Sequence, residues 1–143
     1  MAELVFLKLG GSLVTDKRQR EMARGDVITR VAHEIRLALD ARPDLRLVLG
    51  HGSGSYGHYA AEEFKVHKGN LEDWWGYAVT GAAAQRLDRI IADALLCAEV
   101  PVVSLQPSAS ARCRAGRLQD LATAPIAELL GHGVVPLVYG DVA

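Results

Sequence analysis

Four glycines fall in one short loop. They are Gly50, Gly52, Gly54 and Gly57 in Leu47-Val48-Leu49-Gly50-His51-Gly52-Ser53-Gly54-Ser55-Tyr56-Gly57-His58. The stretch opens as a strand, because Leu45–Leu49 is rich in Leu and Val and short enough to be a buried one. Glycine at this density loses chain entropy on folding. It is tolerated mainly where the backbone takes positive φ or comes very close to something. The loop then runs into Tyr59-Ala60-Ala61-Glu62-Glu63-Phe64, which reads as the first turns of a helix. A strand, a glycine loop and a helix start make an anion site, since free backbone N–H groups and the positive helix end both face the loop. Ser53 and Ser55 add hydroxyl donors, and His58 adds a titratable imidazole close to the expected helix start. A lone glycine pair would be a plain tight turn. Here a second loop, Gly10-Gly11-Ser12, follows the first strand and favours a phosphate or similar anion. The spacing is not a dinucleotide fingerprint, because Ser55 stands where GxGxxG needs its third glycine, and no GxxxxGK[ST] loop is present.

Bulk properties narrow the class. With 143 residues, a single domain with a real core is expected. The net charge of −1, from 16 basic and 17 acidic residues, argues against a nucleic-acid-binding surface, and no basic stripe appears along the chain. No apolar run approaches a membrane span, and Met1-Ala2-Glu3 before a short strand does not read as a secretory signal. Cys97 and Cys113 are too few and too far apart for a disulfide framework or a zinc knuckle. They read as reduced thiols in a cytoplasmic protein, with Cys97 in the core on an apolar helix face.

In chain order, Leu4-Val5-Phe6-Leu7 reads as a strand buried on both faces. Lys8 follows it beside the Gly10 turn. Either its stem runs to the surface or its charge is aimed at phosphates across the glycine loop. Lys17, in Thr15-Asp16-Lys17, is either a solvated loop residue or a second cation on the same side. Residues 18–25 are polar and expected to be mobile. Asp26 is expected to cap a helix to about Ala41, with Val27, Ile28, Val31, Ile35, Ala38 and Leu39 on its buried face. Residues 65–70 read as polar. Trp74, Trp75 and Tyr77 sit outside any clear periodic element. They form either a local hydrophobic plug or the wall of an apolar ligand pocket. Thr80 is expected to cap a helix to about Ala98, burying Ala83, Ala84, Leu87, Ile90, Ile91, Ala94 and Leu95. Gln85, Arg86, Asp88 and Arg89 read as its solvated face. A strand follows at 100–105, and 109–122 has no clear assignment. A short helix capped by Thr123 carries Pro125 in its first turn, and a last strand at 134–139 leads into Gly140-Asp141. Alternating strands and helices predict an α/β fold, a three-layer αβα sandwich with a mostly parallel central sheet. Both glycine loops then lie at the carboxyl edge of the sheet, where such folds bind ligands.

Lys8-Leu9-Gly10-Gly11-Ser12, Thr15-Asp16-Lys17, the Gly50–His58 loop and Tyr139-Gly140-Asp141 resemble the amino acid kinase superfamily, and within it the isopentenyl phosphate kinases. The Ser-aromatic-Gly-His ending of the loop is the most specific element, shared with fosfomycin-resistance kinases. The resemblance covers most of the chain, including the Pro101 strand and Gln106-Pro107-Ser108. It implies ATP-dependent phosphorylation of isopentenyl phosphate to isopentenyl diphosphate, a step of isoprenoid biosynthesis. It also implies a homodimer, and Mg²⁺ carried mainly on ATP rather than on protein ligands. Lys8, Gly10, Gly11 and Gly54 would border the ATP phosphates. Lys17 would stabilise the charge in transfer, with Lys8 and His58 as its catalytic companions. Gly52, Ser53, His58, Gly140 and Asp141 would hold the acceptor. Ser53 stands where many relatives have glycine. Residues 1–143 would be a single α/β domain, the N-terminal acceptor-binding part of the fold, with the C-terminal nucleotide-binding part absent. The alternatives are a fosfomycin-type or other small phosphate or phosphonate kinase, and a non-catalytic anion-binding domain.

Overall fold

The computed structural model describes residues 2–66 and 73–142; most of the polar 65–70 stretch thus lies outside the described residues. The elements begin with β1 (Leu4–Leu9), α1 (Gly11–Val14), α2 (Gly25–Ala41), β2 (Arg46–His51), α3 (Gly54–Glu63) and α4 (Trp74–Cys97). They continue with β3 (Val102–Ser104), a 3₁₀ turn at Pro107–Ala109, β4 (Arg112–Arg114), β5 (Arg117–Asp120), α5 (Ala124–Gly131) and β6 (Val135–Tyr139). Four strands form one parallel sheet in the order β1-β2-β6-β3, and β4 and β5 pair as a separate antiparallel hairpin.

The strand order explains the layers. The chain moves across the sheet from β1 to β2 to β3, and then turns back to place β6 between β2 and β3. Right-handed crossovers put helices on opposite faces when the direction of travel reverses. The helices α2 and α4 accordingly share one core with Leu9, Leu47, Leu49, Val102, Val135 and Leu137. The other face carries α5 against β6 and β2, over Val48 and Pro136, both buried. This is the expected αβα sandwich.

Several local expectations are corrected. The strand β1 is not buried on both faces, because it lies at the sheet edge and Phe6 is 74% exposed. The α2 helix starts at Gly25 with Arg24 in the cap position, so Asp26 sits in the first turn and caps nothing. Its buried face contains Ala32 rather than Ala38. Cys97 is exposed at the end of α4, not in the core. Ile90 faces outward and Asp88 inward, because the helix packs on the sheet and on α3 at once. Residues 18–25 are tied down. A bridge joins Thr15 to Ala23, and Glu21 N donates to Ser55 O at 3.2 Å.

Candidate anion and acceptor site

Three loops meet at the carboxyl ends of β1, β2 and β6. Gly11, Gly52, Gly54 and Gly140 come so close that a Cβ on any of them would crowd the neighbouring loop. A Cβ on Gly11 would lie 2.8 Å from Gly54 Cα, and one on Gly140 would lie 3.3 Å from Ser53 N. Gly54 has φ +51°, and a Cβ there would lie 2.3 Å from Thr15 Oγ1. Gly11, Gly52 and Gly54 therefore serve close backbone approach, whereas Gly10 and Gly50 meet no such crowding. Thr15 is the pin beneath them. Its hydroxyl donates to Gly11 O at 2.6 Å and accepts from Ser55 N at 2.9 Å, and it is 1% exposed.

The helix after this loop begins earlier than the sequence suggested. Gly54 opens α3, with Ser53 in the cap position, so Ser55, Tyr56, Gly57 and His58 are helical. An early start turns Ser55 inward. Its hydroxyl accepts from Met22 N at 3.1 Å and it is buried, so it does not add a donor to the cleft. Ser53 N–H and Gly54 N–H have no acceptor among the described residues. These are the orphan amides of a helix start, and they face the loops that carry Gly11 and Gly140.

A cavity of about 710 Å³ opens beside this loop. Ser53 lines it from the cap of α3, Gly57 and His58 from α3 itself, Trp74, Tyr77, Thr80 and Ala84 from α4, and Gly140, Asp141 and Val142 from the segment after β6. The β4–β5 hairpin contributes Arg112, Cys113 and Gly116. A smaller cleft of about 230 Å³ lies at the strand ends, lined by Lys8, Gly50, His51, Gly52, Val138, Tyr139 and Gly140. Lys8 is exposed in β1, opposite Gly50 in register. Gly10 occupies the cap position of α1, and Gly11 opens that helix.

His58 stands one turn into α3 with its side chain 74% exposed, and its Nε2 is 3.8 Å from Glu62 Oε2. Its ring lies along the cavity and not in the core. Asp141 is tied within its own loop, with Oδ2 accepting from Ser108 N at 3.0 Å and Oδ1 from Val142 N at 2.8 Å. Lys17 is exposed on the turn after α1 and lines neither cavity. Its carbonyl accepts from Tyr59 Oη at 3.1 Å. Beside it, the Arg18 side chain and backbone donate to Asp16 and hold that carboxyl down at about 2.

The aromatic pair divides. Trp74 and Trp75 lie in the first turn of α4, capped by Asp73, whose carboxylate accepts from Gly76 N at 3.0 Å. Thr80, expected to be the cap, is inside the helix. It is 5% exposed, and its hydroxyl has no partner among the described residues. Trp74 packs on Tyr77 with ring centroids 5.3 Å apart, and both line the cavity. Trp75 is 72% exposed and does not. The rings are therefore no buried plug. Burial raises the Tyr77 phenol above its ordinary pKa.

Sequence reasoning missed two components. One is the set of buried His51, Asp88 and Tyr139 with half-buried Ser104. His51 Nε2 lies 3.0 Å from Asp88 Oδ1 and Nδ1 lies 2.9 Å from Gly52 O. Ser104 Oγ donates to Asp88 Oδ2. The Tyr139 ring stacks on His51 at 5.4 Å, and burial pushes its phenol pKa upward. Asp88, placed on the solvated face from the sequence, is 6% exposed. The other is the hairpin over 112–120. Its strands are short, polar and exposed. Its turn, Ala115-Gly116, has positive φ at both residues, the two-residue type that the sequence normally announces with Asn-Gly or Asp-Gly.

Comparison with known proteins agrees with this fold. The family model for the amino acid kinase family matches residues 3–143. The chain is 40% identical over 146 residues to the isopentenyl phosphate kinase of Methanothermobacter thermautotrophicus, covering 97% of this chain and 53% of that protein. It is 34% identical to the isopentenyl phosphate kinase of Methanocaldococcus jannaschii, covering 97% and 56%. A solved isopentenyl phosphate kinase structure superposes with a TM-score of 0.87 at 38% identity, covering 97% of this chain and 57% of that one. The chain thus spans about half the length of the curated relatives it matches. With glycine loops at the strand ends, an αβα sandwich and a family match across nearly all its residues, the chain belongs to the amino acid kinase family.

Proposed function

We propose that this chain binds the acceptor for ATP-dependent phosphorylation of isopentenyl phosphate to isopentenyl diphosphate. The observation that carries the reading is the junction of two unlike surfaces. Ser53, whose amide is unpartnered among the described residues, lines the 710 Å³ cavity, and Trp74, Tyr77, Ala84 and Val142 wall it. A phosphate monoester with an apolar tail matches that division. Inorganic phosphate matches only the first part, and so does a compact polar phosphonate such as fosfomycin.

The chemistry asks little covalent help of the protein. An acceptor phosphate oxygen is itself the nucleophile, so transfer depends on positioning and on neutralising charge. In this reading His58 and the Ser53 amide hold the acceptor phosphate, with Gly52, Gly140 and Asp141 shaping the loop around it. Lys8, Gly10, Gly11 and Gly54 border the donor phosphates, and Lys17 stabilises charge developing in transfer. ATP supplies the phosphoryl group when bound. Mg²⁺ would be carried mainly on the ATP phosphates. The reading also includes a homodimer in the cytoplasm.

The test is calorimetric binding of isopentenyl phosphate, dimethylallyl phosphate and fosfomycin to this chain, beside a coupled ADP-release assay. Binding of isopentenyl phosphate in preference to fosfomycin is expected. Preference for fosfomycin would replace the acceptor. Binding without turnover would make this chain a non-catalytic anion-binding domain.

A further inference from the structure

His51 is buried, bonded at both ring nitrogens, and unused by the reaction described above. Its side chain is fully enclosed, with Asp88 at one ring nitrogen and the Gly52 carbonyl at the other. A carbonyl only accepts, so Nδ1 must carry a hydrogen to bond Gly52 O. Nε2 then either donates to the Asp88 carboxylate or accepts from its carboxyl. Both arrangements hold the same number of protons, and both keep the Nδ1–H contact. Ser104 orients the carboxyl from its far oxygen, and the stacked Tyr139 ring fixes the imidazole plane. His51 is thus locked from β3, α4 and β6 at once.

The consequence lies in the next peptide. The Gly52–Ser53 peptide is trans, as no cis bond occurs among the described residues, so its C=O and N–H point in opposite directions. With Gly52 O drawn inward to His51, Ser53 N–H must point outward. That is where Gly140 comes within reach, and no acceptor among the described residues takes this N–H. We propose that His51 is a positioning residue that turns the Gly52–Ser53 peptide so that the Ser53 amide faces the acceptor phosphate. The proposal rests on the anion-site reading given above. Glycines at 52 and 54 flank Ser53 and give the loop little stiffness of its own, so the orientation needs an outside anchor.

Two substitutions separate this role from simple burial of Asp88. In His51→Asn the terminal amide falls near the Nδ1 position, which keeps a donor for Gly52 O and leaves Asp88. In His51→Gln it falls near Nε2, which keeps Asp88 and leaves Gly52 O. The experiment is a titration of the chain with inorganic phosphate, read at the Ser53 and Gly54 amides by ¹H–¹⁵N correlation spectra, with thermal melts of each variant. Expected is a phosphate-dependent Ser53 shift in wild type, affinity within about threefold in His51→Asn, and affinity about tenfold or more weaker in His51→Gln. The reverse order, or equal affinities, would overturn the proposal, because burial of Asp88 would then be the whole role. If His51→Asn does not fold, ¹⁵N detection of the wild-type His51 ring decides, and an Nδ1 without hydrogen would overturn it. A wild-type Ser53 amide that ignores phosphate would remove the anion site itself, a failure visible before any variant is made.

Discussion

Gly54→Ala tests the packing beneath the site quantitatively. Two penalties add. Gly54 has φ +51°, where a Cβ costs roughly 1–2 kcal/mol. The new Cβ would also lie 2.3 Å from Thr15 Oγ1 and 2.7 Å from Thr15 Cγ2. Thr15 is 1% exposed and cannot swing to solvent. Moving it breaks its bonds to Gly11 O and Ser55 N, each worth roughly 0.5–1.5 kcal/mol. The sum is about 2–5 kcal/mol, a large share of the roughly 5–15 kcal/mol that holds a domain together. At about 3–4 °C per kcal/mol for a chain of this size, the melting temperature should fall by roughly 6–20 °C. Gly116→Ala is the internal control. It has φ +73° with nothing within 4 Å of a Cβ, so only the backbone penalty of roughly 1–2 kcal/mol applies. Thermal and urea unfolding of both variants, with an unchanged m-value to show that the denatured state is not altered, gives the comparison. Equal losses in the two variants would refute the argument from crowding at Thr15.

Other outcomes follow from the same geometry. His58→Ala should leave stability within about 0.5 kcal/mol, because the ring is exposed, while isopentenyl phosphate binding by calorimetry weakens sharply. Trp74→Ala should weaken isopentenyl phosphate about three- to tenfold and leave inorganic phosphate unchanged, since the ring lines only the apolar wall. In the coupled assay Lys17→Ala should lower kcat on the order of 100-fold with little change in KM; an unchanged kcat would return Lys17 to an ordinary solvated loop. For pH, Asp16 is held down at about 2 by Arg18. Its folded value lies below the unfolded one, so its contribution is present above ordinary carboxylate pKa values and disappears as pH falls from about 4 towards 2. An NMR titration of the Asp16 carboxyl should show a midpoint near 2, and a midpoint near 3.8 would contradict the clamp.

The chain's local chemistry determined much of this protein by itself. Apolar runs of strand length, helical periodicity and two glycine loops after strands were enough for the αβα sheet and for placing both glycine loops at its carboxyl edge. These features depend on the period of burial and on backbone freedom, which neighbouring residues set. Tertiary structure decided what depends on residues far apart in the chain. Helix α3 begins at Gly54 because Thr15, 39 positions earlier, receives the Ser55 amide. That contact turns Ser55 inward and leaves Ser53 and Gly54 as the open donors. Asp88 looked like part of a solvated face because its neighbours Arg86 and Arg89 are exposed. It is buried because His51 from β2 and Ser104 from β3 meet it there. The strand β1 read as doubly buried, yet its place at the sheet edge leaves Phe6 exposed. An apolar strand carries no local mark of its position in a sheet, since strand order is set by crossovers and not by composition. The cavity wall likewise needed the fold, because Trp74, Val142 and the 112–120 hairpin come together only once α4, β6 and the hairpin are in place.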